Sequence, residues 1–168
     1  IVIFNNNFLP NVDTTKTNRW LGDLKPIKEI SDKISEIEKS LNLSKDVIGI
    51  HARGSDFGVS VDYYLDTINQ SIKSNPDKKF FLSTEDRSFE NRIISEFGNK
   101  IIYRVKDNYI TKKDDKTPWN DYNGFYITKQ HAQEAVEDMF LLSKTDIQIY
   151  HNNSTFVQIA KIISESNK

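Results

Sequence analysis

Cysteine is absent from the 168 residues, which excludes disulfides, thiolate zinc sites and cysteine nucleophiles. No stretch approaches the ~20 apolar residues that a membrane-spanning helix requires. An excess of either charge is also lacking. The 23 basic and 24 acidic residues leave a net charge of -1, so nothing electrostatic points to nucleic acid or an anionic membrane as partner. What remains is an ordinary globular composition, 37% hydrophobic and 28% charged. At this length one domain buries roughly 70% of its unfolded surface without covalent staples. With no disulfides, the expectation is an intracellular, bacterial-type domain, cytoplasmic or peripheral to a membrane. The sequons at Asn42, at Asn69 and from Asn152 to Thr155 would matter only in a secreted eukaryotic protein. The chain opens on Ile1, as expected of a processed or excised piece.

Residues 1–25 read as an interdomain linker, with the Asn5-Asn6-Asn7 run and Pro10 breaking any strand. From Pro26, Ile27, Ile30, Ile34, Ile37 and Leu41 recur at spacings of three and four. They mark one apolar stripe of a helix that packs against a sheet. Strands are then expected at Val47–His51, Lys79–Ser83, Lys100–Val105 and Asp146–Tyr150. Helices are expected at Val61–Ser74, Arg87–Phe97, Thr128–Ser143 and Ser154–Ser166, and a long polar loop at Lys106–Ile127. This alternation predicts an α/β fold, a Rossmann-like doubly wound parallel sheet over 26–168. The long connection before the fourth strand suggests a reversal of direction, giving strand order 3-2-1-4. Ligands of such sheets bind beyond the carboxyl ends of the strands where the order reverses. The first and fourth strands end in "HARGSDF" and "YHNNSTF", so topology alone sets these two stretches side by side.

Arg53 is a permanent cation whose fork of donors matches phosphate oxygens; its alternative is an ion pair with Asp56 or a neighbouring carboxylate. Asp56 would hold Arg53 in place rather than take part directly. His51 reads as a satisfied structural histidine or as a ligand contact. Ser154 and Thr155 stand where a helix begins, with hydroxyls and first-turn amides suited to an anion and equally to an ordinary N-cap. Asp138 lies in the helical run "QEAVEDMFLLSKTD", where Ala135, Met139 and Leu142 mark the buried face. A carboxylate there either needs a partner, which a guanine base would provide, or lies exposed beside Glu137. Asp62 is a weak candidate for a general base and a better one for a helix cap. Asp114-Asp115 sits in a lysine-rich loop and reads as solvated rather than as a metal motif.

Together these segments resemble the fucosyltransferase superfamily of α1,2-, α1,6- and protein O-fucosyltransferases. "HARGSDF" resembles its H-x-R-x-x-D motif, "FFLSTEDRSFENRI" its second motif, and "AVEDMFLLSKTDIQIYHNNSTF" its third. The resemblance spans about Pro26 to the end. It implies the carboxyl-terminal nucleotide-sugar-binding domain of a GT-B glycosyltransferase, with 1–25 as linker or remnant of an amino-terminal acceptor domain. It further implies transfer of fucose from GDP-fucose, with inversion, to a glycan or other hydroxyl acceptor, and no metal or other cofactor. Carried over by position, Arg53 would hold the β-phosphate and stabilise the leaving group. Ser154, Thr155 and Phe156 would contact phosphate, Asp138 would read guanine, and His51 would lie near the base or ribose. Many members carry a second arginine where this chain has Gly54. The alternatives are a GT-B transferase using another sugar nucleotide, and a nucleotide-binding or interaction module without transferase activity.

Overall fold

A computed structural model describes residues 20–54, 59–109, 129–152 and 154–166. The elements in chain order are α1 (Lys28–Leu41), β1 (Ile48–His51), α2 (Val61–Ser74), β2 (Phe80–Ser83), α3 (Arg87–Phe97), β3 (Ile101–Ile102), α4 (Lys129–Ser143), β4 (Asp146–Tyr150) and α5 (Thr155–Ser166). The four strands form one sheet of order β3-β2-β1-β4, with every pairing parallel. The fold class and strand order expected from the alternation are those observed.

The period of two explains how one short sheet serves two cores. In β2, Phe80 and Leu82 join Ile48 and Ile50 under α2 and α3, where Tyr64, Leu65, Ile68 and Ile93 are buried. Phe81, between them, faces the opposite layer with Leu141, Leu142, Val157 and Ala160 from α4 and α5. β4 departs from this regularity. Its register against β1 shifts between Gly49 and Ile50, so that Ile147 pairs with Gly49 and Ile149 with Ile50. One extra residue, Gln148, turns Ile147 into one core and Ile149 into the other.

The helix ends follow local chemistry. Asp86 accepts the N–H groups of Ser88 (2.8 Å) and Phe89 (3.3 Å) at the start of α3. Gly98 ends that helix at φ 51°, a backbone angle that favours glycine. Ser60, not Asp62, caps α2, accepting the Asp62 N–H at 3.2 Å.

Two expectations are corrected. Pro26 and Ile27 precede α1, and Ile27 is 64% exposed; the stripe begins at Ile30, and α1 packs chiefly on α4. The third strand is two residues long rather than six. Beyond it, Tyr103 and Val105 face outward while Arg104 and Lys106 are buried. The charged side chains are held by α4, so the segment leaves the strand ladder to reach them. Of the expected loop Lys106–Ile127, residues 106–109 are described and begin with the buried Lys106; the rest lies outside the described residues. Among the described residues no helix is long and apolar enough to cross a membrane.

Candidate functional site

The carboxyl ends of β1 and β4 meet. His51, the last residue of β1, pairs in register with Tyr150. Its Nδ1 lies 3.3 Å from Ser154 Oγ, and its ring stacks on Phe156 with centroids 4.6 Å apart and planes 16° from parallel. Ser154 also caps α5, accepting the Val157 N–H at 3.3 Å. The Ser154 hydroxyl and His51 Nδ1 share one hydrogen bond, whose direction is set by which ring nitrogen carries the proton. His51 is buried, and its pKa is lowered to about 3. Burial is the leading cause; the Arg53 and Lys106 cations lower it further, and Asp138 opposes them. The ring is therefore neutral at any working pH.

Arg53 follows two residues later, its side chain half-buried and close enough to His51 to affect its protonation. Ala52 N–H still reaches Ser83 O at 3.0 Å, so the chain leaves the sheet at Arg53. Asp56, expected to steady Arg53, lies outside the described residues, as do Asp114 and Asp115. Thr155 is exposed at the first position of α5. Of the two hydroxyls expected to meet phosphate, Ser154 is thus used by the helix and by His51, while Thr155 is open to solvent.

Gly54 is buried, and its packing accounts for the residue found there. A Cβ at this position would come within 2.8 Å of Asp86 Oδ2 and of two ring carbons of Phe89. Asp86 is committed to capping α3, and the Phe89 ring stands edge-on to Tyr64 at 6.1 Å. Neither can yield freely, so a second arginine does not fit where the resembled family often has one. Gly54→Ala is expected to cost about 1–3 kcal/mol through overpacking, read as a shift of the urea midpoint.

Of the alternatives that its pattern suggested, Asp138 departs from exposure and has the partner that burial requires. It is buried, not exposed, and its partners are internal. Arg104 Nε lies 2.6 Å from Asp138 Oδ1 and Lys106 Nζ 2.8 Å from Oδ2. Arg104 also reaches Glu137 Oε2 at 3.0 Å and Glu134 O at 2.8 Å, and Lys106 donates to Thr84 O. Lys33 of α1 meets Glu137 from outside at 2.9 Å. The buried face of α4 is accordingly Glu134, Glu137, Asp138, Leu141 and Leu142, and Ala135 is exposed. With both oxygens engaged, Asp138 holds the exit of β3 onto α4, and reading a guanine edge would require displacing a cation.

Sequence reasoning missed Arg104, Lys106 and Tyr64. A cleft of about 480 Å³ lies between α1 and the segment after β3, lined in part by Lys33, Leu41, Tyr103 and Glu134. It includes neither His51 nor Arg53. No protein-family model and no curated protein matches the chain.

Proposed function

We propose that the chain is the donor-binding domain of a metal-independent glycosyltransferase, with the diphosphate of a sugar nucleotide seated between the exits of β1 and β4. The observation that carries this reading is the contact of His51 with Ser154 and Phe156. It joins the ends of β1 and β4, which precede Arg53 and the amino terminus of α5 in the chain, at the reversal of strand order. Arg53 would supply a fixed positive charge, and the first-turn amides of α5 other than that of Val157, which Ser154 already caps, would supply N–H donors. As the bond from the anomeric carbon to oxygen breaks, the sugar gains oxocarbenium character and the diphosphate gains charge. Donors fixed around that charge stabilise the transition state more than the ground state. GDP-fucose is the first candidate donor, by the motif resemblance. By the same resemblance His51 would lie near the base or ribose, here behind Ser154 and Phe156, and an acceptor hydroxyl would come from outside this domain.

The test is nucleotide binding by the full chain. GDP, UDP and ADP are compared by thermal shift, and a ligand at 100 times its Kd should add about 2.7 kcal/mol. GDP is expected to stabilise most. Arg53→Ala should reduce its affinity on the order of 10- to 100-fold, the loss of one charge-assisted contact of about 1.5–3 kcal/mol. Equal, negligible shifts with all three nucleotides would remove the reading. Stabilisation by UDP or ADP in place of GDP would reassign the donor. Hydrolysis of GDP-fucose then separates transferase chemistry from binding alone.

A further inference from the structure

Tyr64 projects from α2 and is fully buried, outside each of the stretches that point to a ligand. Among the described residues its hydroxyl bonds a single neighbour. It accepts the Arg53 backbone N–H at 3.0 Å and donates to the Arg53 carbonyl at 3.4 Å. Inside a sheet, a partner strand would satisfy these two groups. Arg53 has just left the sheet, and one phenol takes over both tasks. The ring is held in turn: Phe89 meets it edge-on at 6.1 Å, and the same Phe89 leaves no room for a side chain at Gly54. The backbone at 53–54 is thus fixed from α2 and from the first turn of α3 together. The hydroxyl stays protonated throughout the working range, since burial above all raises its pKa to about 12.

A phosphate contact depends on where its guanidinium starts. A cation on a wandering backbone must be ordered each time the ligand binds, and that ordering subtracts from affinity. We propose that Tyr64 is the positioning residue of the anion site, its hydroxyl fixing the Arg53 backbone so that the guanidinium is presented to a diphosphate already placed. This rests on the reading of Arg53 as a phosphate ligand. It adds that a residue remote from the ligand sets the strength of that contact.

Tyr64→Phe removes one oxygen and keeps the ring. GDP affinity is measured by titration for the full chain, Tyr64→Phe, Arg53→Ala and the double variant. Hydrogen exchange of the Arg53 amide is followed without ligand. Tyr64→Phe should weaken GDP about five-fold, the worth of one ordinary hydrogen bond, and should speed exchange at Arg53. In the Arg53→Ala background it should change GDP affinity less than two-fold, and guanosine, which lacks phosphate, should bind both Tyr64 forms alike. A purely structural tyrosine would lower affinity by the same factor whether or not Arg53 is present, and that result overturns the proposal. Wild-type exchange and affinity in Tyr64→Phe overturn it equally. If Arg53→Ala weakens GDP and Tyr64→Phe does not, only this inference falls. If the wild-type chain binds no nucleoside diphosphate, it falls together with the proposed function. Should Tyr64→Phe not fold, Phe89→Leu loosens the same ring and must show the same dependence on Arg53.

Discussion

Asp138→Ala is expected to lower stability by roughly 3–5 kcal/mol, because it leaves two buried cations without their shared counter-charge. Arg104 and Lys106 cannot swing into water while their stems remain packed, and Arg104 is also held by Glu137 and by the Glu134 carbonyl. A loss of that size is a large part of the stability of a domain this small. The control lies on the same side of the molecule. Lys28 and Asp32 of α1 form an ion pair of 2.5 Å with both side chains mostly exposed, and Asp32→Ala should cost under about 1 kcal/mol. Urea unfolding of the two variants reads the contrast. A cost below about 1 kcal/mol for Asp138→Ala would mean that water reaches the cluster and that the burial is not what holds it.

The second large effect depends on pH. His51 has its folded pKa lowered to about 3 from an ordinary 6.5, so between those values the unfolded chain binds a proton that the folded chain refuses. The stability contributed by the neutral ring is present in full above about pH 6.5 and is lost as pH falls toward 3. The slope from this one group approaches 1.4 kcal/mol per pH unit, a few kcal/mol by pH 4. His51→Asn retains a hydrogen-bonding partner for the Ser154 hydroxyl but does not titrate. It should be less stable than the wild type at pH 7.5, through loss of the stack on Phe156, and should show a flatter decline in acid. Stability measured at pH 7.5, 6, 5 and 4 checks this. Parallel declines for the two proteins would show that the acid sensitivity belongs to other groups.

The fold was legible because the pattern that specifies it is local. β1 and β2 are dry apolar runs, and α2, α3 and α5 carry their own caps and apolar faces, so order and type followed from spacing alone. The reversal at β4 came from one long connection. The meeting of the ends of β1 and β4 was legible for the same reason, since topology forces them together, but not that the contact runs through His51 and Ser154. Asp138 was harder. Its pattern showed a carboxylate in an apolar stripe, and its partners lie some thirty residues earlier, Arg104 in a segment that read as strand and Lys106 at the start of one that read as loop. There the alternation is inverted: Tyr103 and Val105 point out, Arg104 and Lys106 point in. Two cations two residues apart in an apolar-looking run, and three acids on one helix face, are the signal that was available. Tyr64 had no such signal. A buried tyrosine on an apolar face looks like packing until its hydroxyl is seen against the Arg53 backbone.

The irregularity in β4 bears on a different risk. An outermost strand with an unbroken row of amides and carbonyls is a template on which a stray chain can add itself, and long flat edges of this kind seed aggregation. Among the described residues one flank of the sheet is only two residues long, and the other is kinked where Gln148 interrupts the register. A short flank and a crooked one both offer poor purchase to an incoming strand, so the packing of Ile147 and Ile149 into opposite cores also discourages self-association in a crowded solution.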